Sequence, residues 1–217
     1  MRQNVETFIG CDAHFDEAEI VLFGAPFDST TSFRPGARFG SAAMRHESFG
    51  IETYSPYQDR DLTDCAIFDS GDLELCFGSA EMALADIQAR AEEILQAGKL
   101  PLLLGGEHLV TLGAVRAVAE KYPDLHIIHF DAHADLRDDY LGAKLSHACV
   151  IRRCHELVGD GRIHQYNASH ADGKNRTTVS GTRRTGRLCG TGAGTDQELS
   201  FYRLKKGSKG CTIPENN

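Results

Sequence analysis

The sequence predicts an α/β fold of three layers, a mainly parallel sheet covered by helices on both faces. Three observations carry this. Short apolar runs alternate with longer segments of helical spacing. The runs are apolar throughout rather than at every second residue, as expected of strands buried on both faces. Two of them end abruptly in carboxylates and histidines, and in parallel sheets ligands gather beyond the carboxyl ends of strands.

Glu19-Ile20-Val21-Leu22-Phe23-Gly24 is the first predicted strand, and Asp64-Cys65-Ala66-Ile67-Phe68-Asp69 the second. Residues 79–97 are predicted helical. Ser79 can cap the first turn, Met82, Ile87, Ala91, Ile94 and Leu95 recur at helical spacing, and Gly98 stops the helix. Residues 100–104 form the next strand. A helix over 110–121 closes at Tyr122-Pro123. Residues 125–130 form a further strand, and residues 147–157 a final helix.

The chemistry is concentrated at two strand ends. Leu125-His126-Ile127-Ile128-His129 runs into Phe130-Asp131-Ala132-His133-Ala134-Asp135, and Leu102-Leu103-Leu104 runs into Gly105-Gly106-Glu107-His108. Residues i, i+2 and i+4 of an extended strand point to one side, so Asp131, His133 and Asp135 converge if strand geometry persists. Carboxylates are hard ligands that can bridge two cations, and neutral imidazole suits transition metals better than Mg²⁺ or Ca²⁺. The competing reading is a buried strand that runs into an ordinary solvated loop. His126 and His129 precede the strand mouth and read as core or sheet-edge histidines. Glu107 reads equally as a support for His108 or as a cap on its loop. Arg137-Asp138-Asp139 reads as a solvated loop and Arg152-Arg153 as an exposed helix face. His14, His46 and His155 have no partner at a useful spacing.

These residues resemble the ureohydrolase family of arginases and agmatinases, and bacterial agmatinases above all. The family motifs Gly-Gly-(Asp/Glu)-His and Asp-Ala-His-x-Asp both stand intact, at 105–108 and 131–135. Gly24-Ala25-Pro26-Phe27-Asp28 and the segment 30–40, with its Pro35-Gly36-Ala37-Arg38-Phe39-Gly40, resemble the family's substrate-side loop. Asp69-Ser70-Gly71-Asp72 matches a further family turn, and Leu145-Ser146-His147-Ala148 falls where the family carries another active-site histidine. The resemblance covers residues 15–166.

It implies an arginase-like fold and a two-manganese enzyme that hydrolyses a guanidinium group to urea and an amine. His108 would then ligate one Mn²⁺ and His133 the other, with Asp131 bridging both. Asp135 would bind the ion of either histidine, the family pattern favouring that of His108. His147 would lie near the substrate and help move a proton. The favoured substrate is agmatine, giving putrescine and urea, with arginine and guanidinobutyrate open. The family also implies a homo-oligomer.

The chain departs from the family in one respect. The second metal-binding motif, Asp-x-Asp-x-x-Asp-Pro, and a later glutamate for the guanidinium are missing. After Tyr166 the composition shifts: residues 167–217 hold nine Lys and Arg against four Asp and Glu, whereas the whole chain carries −8. This yields the expectation that 1–166 is the N-terminal part of a ureohydrolase domain, incomplete at its C-terminal side. Residues 167–217 are then a basic Gly/Thr/Arg-rich tail, disordered or read out of frame. The expected activity is impaired. Two alternatives keep other chemistry open: a one-metal, deacetylase-like amidohydrolase, and a non-catalytic remnant or oligomer decoy with an unpaired apolar strand edge.

Composition narrows the rest. At 217 residues one domain is expected. No apolar run approaches the ~18–20 residues of a membrane span, and no signal-peptide pattern opens the chain. The net charge of −8 disfavours nucleic acid and anionic membranes and favours a small cationic substrate. Seven cysteines without a Cys-x-x-Cys pair read as buried small residues in a reducing cytoplasm.

Overall fold

A computed structural model describes residues 1, 4, 6–76 and 78–166. The expectations for 167–217 lie outside the described residues. Eleven main elements follow in order: β1 Ile20–Ala25, α1 Gly40–Ser48, β2 Tyr54–Ser55, β3 Arg60–Asp61, β4 Ile67–Asp72, α2 Ala80–Gln96, β5 Leu100–Gly105, α3 Val110–Lys121, β6 Ile127–Phe130, α4 Val150–Val158 and β7 Ile163–Tyr166.

β1 is the centre of a parallel sheet of order β4-β1-β5, with Ile20 level with Ile67 on one side and Leu100 on the other. β6 and β7 form a second parallel pair, Ile127 level with Ile163. The alternation of strand and helix is as the apolar pattern implies. Among the described residues, however, the parallel strands fall into two sheets, because β5 and β6 do not pair with one another. Apolar side chains stand exposed on both strands, Leu100 and Leu102 on β5 and Ile128 and Phe130 on β6.

Local chemistry sets the boundaries. Ser79 caps α2, its Oγ accepting from the Met82 N–H at 3.3 Å, and Gly98 follows at φ 75°. The second strand begins three residues later than its apolar run suggests. Asp61 and Asp64 form a reciprocal capping box over a short 3₁₀ turn, Leu62–Asp64, which takes the first residues out of the strand. Asp69 therefore lies inside β4, not at its end. α1 escapes a search for apolar periodicity because its buried residues are Ser41, Arg45 and Ser48. The core gathers Phe23, Leu84, Ile87, Ile94, Leu109, Leu112, Ile151 and Ile163, all essentially inaccessible. α2 and α3 pack so closely that a Cβ on Gly113 would lie 2.8 Å from the Ile87 Cβ.

Gly106 has the strictest requirement. Its N–H donates to the Ala25 carbonyl at 2.9 Å, and the next N–H, of Glu107, donates to Phe27 O at 2.8 Å. The exit of β5 is thus laid on the exit of β1. A Cβ at Gly106 would fall 2.0 Å from the Phe27 carbonyl oxygen, backbone that no rotamer change can move aside. Gly106→Ala is expected to destabilise the fold by at least about 2 kcal/mol. Urea denaturation checks this, and an unchanged midpoint would show that the two exits separate freely.

Candidate metal centre

The exits of β1, β5 and β6 each contribute anionic or imidazole groups. After β1, the buried Asp28 accepts the Gly36 N–H at 2.7 Å and the Arg38 Nε–H at 2.6 Å. The Arg38 guanidinium holds the Asp28 carboxyl below the usual carboxylate range. The Pro35-Gly36-Ala37-Arg38 segment is thereby folded back onto its own strand.

After β5, Glu107 turns away from the open alternative of supporting a ring and caps a loop. Its carboxylate accepts the Thr30 N–H at 3.2 Å and the Thr31 hydroxyl at 2.9 Å, and also the Thr30 hydroxyl. Thr30 Oγ1 in turn accepts the His147 N–H at 3.1 Å. One buried carboxylate therefore ties the β1 loop to the start of the segment leading into α4. The His147 ring meets Tyr140 edge-on, with centroids 5.6 Å apart, and its Nδ1 is buried without a hydrogen-bond partner.

His108, next in the chain, meets the exit of β6. Its Nδ1 is 2.7 Å from Asp135 Oδ2 and 3.7 Å from Asp131 Oδ2. The strand does not continue to Asp135. β6 ends at Phe130, and Asp131 Oδ1 accepts the His133 N–H at 2.8 Å, closing a turn. Asp135 then sits at φ 49°, a left-handed conformation that carries strain in a non-glycine residue. Its carbonyl accepts the N–H groups of Ile151 and Arg152 at 3.1 and 3.2 Å, which holds the turn against α4. This turn, not strand alternation, accompanies the approach of Asp135 to His108.

Four side chains offer donor atoms within 4.8 Å of one another: His108, His129, Asp131 and Asp135. His133 stands outside that group. Its Nδ1 is 3.1 Å from the other oxygen of Asp131, Oδ1, and its side chain is 71% exposed. His129, read from the sequence as a core histidine, is buried and joins the group, its Nε2 3.6 Å from Asp131 Oδ2. The signal that could have found it is parity, since residues 129 and 131 lie on one side of an extended chain. Burial pushes the Asp131 carboxyl up, but the His133 N–H and the neighbouring His108 and His129 outweigh it and leave it below its usual value. Burial, then the His108 ring, push the His129 imidazole below its usual value. The donor set of imidazole nitrogen and carboxylate oxygen fits a divalent transition cation.

On the α4 side, Arg153 is mostly covered. It pairs with Asp138 at 2.7 Å and Glu156 at 2.9 Å, so the 137–139 loop is bound to the helix instead of standing free.

Parallel strands that deliver a carboxylate-imidazole cluster at their carboxyl ends define an α/β protein with a candidate metal centre. The chain belongs to the arginase family, whose sequence profile matches residues 18–185. It is 47% identical over 161 residues to an agmatinase of Bacillus subtilis (strain 168), covering 74% of this chain and 56% of that relative. It is 40% identical over 144 residues to an N(1)-aminopropylagmatine ureohydrolase of Thermococcus kodakarensis, covering 65% of this chain and 49% of that one. Among solved structures it resembles the agmatine ureohydrolase of Thermoplasma volcanium, with TM-score 0.70 and 34% identity over 75% of this chain and 54% of the other. The chain spans about half the length of the curated relatives it matches. Among the described residues, no helix is long and apolar enough to cross a membrane.

Proposed function

We propose that this chain carries the first metal-binding motifs of a manganese-dependent hydrolase acting on a guanidinium compound, agmatine being the favoured substrate and urea and putrescine the products. The observation that carries the reading is the cluster of His108, Asp131 and Asp135 at the mouths of β5 and β6. The names of the relatives, agmatinase and ureohydrolase, support the substrate class.

In this reading His108, Asp131 and Asp135 would hold Mn²⁺, and His133, beside the other oxygen of Asp131, would serve a second ion. When bound, divalent cations act as Lewis acids and lower the pKa of water. The remaining work falls to the chain. The loop pinned by Asp28 and Glu107 shapes the substrate side. The acidic balance of the chain attracts a cationic guanidinium. The His147 imidazole, edge-on to Tyr140, would accept or deliver the proton that the departing amine requires. An ion beside His108 would meet more of the described donors than one beside His133. A homo-oligomer follows from the family and is part of the same proposal.

The test is a Mn²⁺ titration of the full chain, with urea release from agmatine measured in parallel. The expected result is uptake of at least one Mn²⁺ and manganese-dependent urea release, slower than the ordinary ~1–10³ s⁻¹ of enzymes. His108→Ala should remove both. Metal uptake without urea would overturn the catalytic reading and leave the centre standing. No uptake would overturn the centre itself.

A further inference from the structure

His129 is the one group in the cluster that lies outside the two sequence motifs, at 105–108 and 131–135. Its ring lies parallel to that of His108, with centroids 5.0 Å apart at 21°. Nε2 is buried and has no hydrogen-bond partner, while Nδ1 is 2.9 Å from the Gln165 side-chain nitrogen. That same nitrogen donates to the Ala134 carbonyl at 2.8 Å. A carbonyl oxygen can only accept, so the Gln165 atom facing it is the NH₂ group. The NH₂ group can only donate, so His129 Nδ1 must accept. A neutral imidazole that accepts at Nδ1 carries its proton on Nε2.

We propose that His129 is a positioning residue of this centre: Gln165 locks its imidazole in the tautomer protonated at Nε2, and that N–H steadies the Oδ2 side of Asp131. Nε2 is 3.6 Å from Oδ2, beyond hydrogen-bond length, so its N–H acts on that oxygen as a nearby dipole. Asp131 is held at Oδ1 by the His133 backbone N–H and faces the His129 dipole at Oδ2. The lock has a second consequence. A protonated Nε2 has no lone pair to give a cation, so His129 stays out of the ligand set despite its proximity. The set remains rich in oxygen, which favours Mn²⁺ over the more nitrogen-seeking Zn²⁺. Gln165, on β7 and remote from the motif in sequence, thereby becomes a determinant of metal choice.

This inference rests on the metal centre proposed above, and its test separates the two. Long-range ¹H–¹⁵N correlation of the histidine rings in the full-length chain reads the tautomer directly. The expected result is a proton on Nε2 of His129, and a proton on Nδ1 would overturn the proposal whether or not metal binds. Mn²⁺ affinity supplies the second readout. His129→Leu should weaken it by about 10–100-fold, the usual effect of losing a group that orients a ligand. His129→Gln, which places an amide N–H close to the Nε2 position, should recover most of that loss. Equal affinities for wild type and the Leu variant, in folded proteins, would overturn the positioning role. If the Leu variant does not fold, the ring spectrum of the wild type decides. A wild-type chain that takes up no Mn²⁺ overturns the centre of the preceding section, and the tautomer is still read in the same sample.

Discussion

Asp131→Asn is expected to abolish Mn²⁺ uptake and leave the fold intact. Asparagine keeps an oxygen where Asp131 Oδ1 accepts the His133 N–H, so the turn after β6 survives. The charge is what disappears. Asp131 is the common neighbour in the cluster, 3.7 Å from the His108 nitrogen, 3.6 Å from that of His129 and 3.1 Å from that of His133. A neutral amide there offers one weaker oxygen and, on the other side, an NH₂ group that repels a cation. Losing a group that merely orients a ligand costs about 10–100-fold in metal affinity, so losing this carboxylate should exceed 100-fold. Calorimetric titration with Mn²⁺ measures this, and thermal unfolding should move by no more than a surface substitution would, within about 0.5 kcal/mol. Unchanged affinity would place the cation elsewhere.

The second large effect is structural. Arg45 is almost wholly buried on α1 and grips two carboxylates of β4. Its Nε and Nη2 bond Asp69 at 2.8 and 3.0 Å, and its Nη1 bonds Asp72. Asp69 is fully buried and also accepts the N–H groups of Phe8 and Gly71, each at 2.9 Å. Its hydrogen-bonding capacity is thus filled by an arginine fork and two backbone donors. Arg45→Leu removes the only cation facing this carboxylate in that set and leaves a buried charge uncompensated. The expected loss is about 3–5 kcal/mol, a large fraction of the total stability of a domain of this size. Asp69→Asn added to Arg45→Leu should restore part of it, because the amide removes the unpaired charge. A double-mutant cycle by urea denaturation tests this. Strict additivity of the two changes would mean the pair is not coupled.

The same residues show what a linear reading misses. Asp69 was visible only as the end of an apolar run and as part of a family turn. Its true setting, inside β4 and against Arg45, depends on a capping box that delays the strand and on a helix that carries no apolar stripe. β7 escapes a linear reading because four residues of mixed polarity become a strand only by pairing with β6. Helices α2 and α3, by contrast, are legible almost to the residue, since the Ser79 cap of α2, the Tyr122-Pro123 stop of α3 and the apolar spacing of both are local.

The sequence by itself determined the alternating α/β order, the parallel sense of the main strands and the chemical type of the residues at their mouths. Each of these follows from apolar pattern or side-chain identity over a short window. Only the tertiary structure decided which donors meet. His108 and Asp135 are 27 residues apart and come within 2.7 Å through a left-handed turn. His129 enters the cluster, and His133 faces the other oxygen of Asp131. Glu107 leaves its neighbour for Thr30 and Thr31, more than 70 residues away in the chain. These outcomes depend on a few backbone torsions at strand exits and on contacts between distant segments, and no periodicity along the chain encodes either.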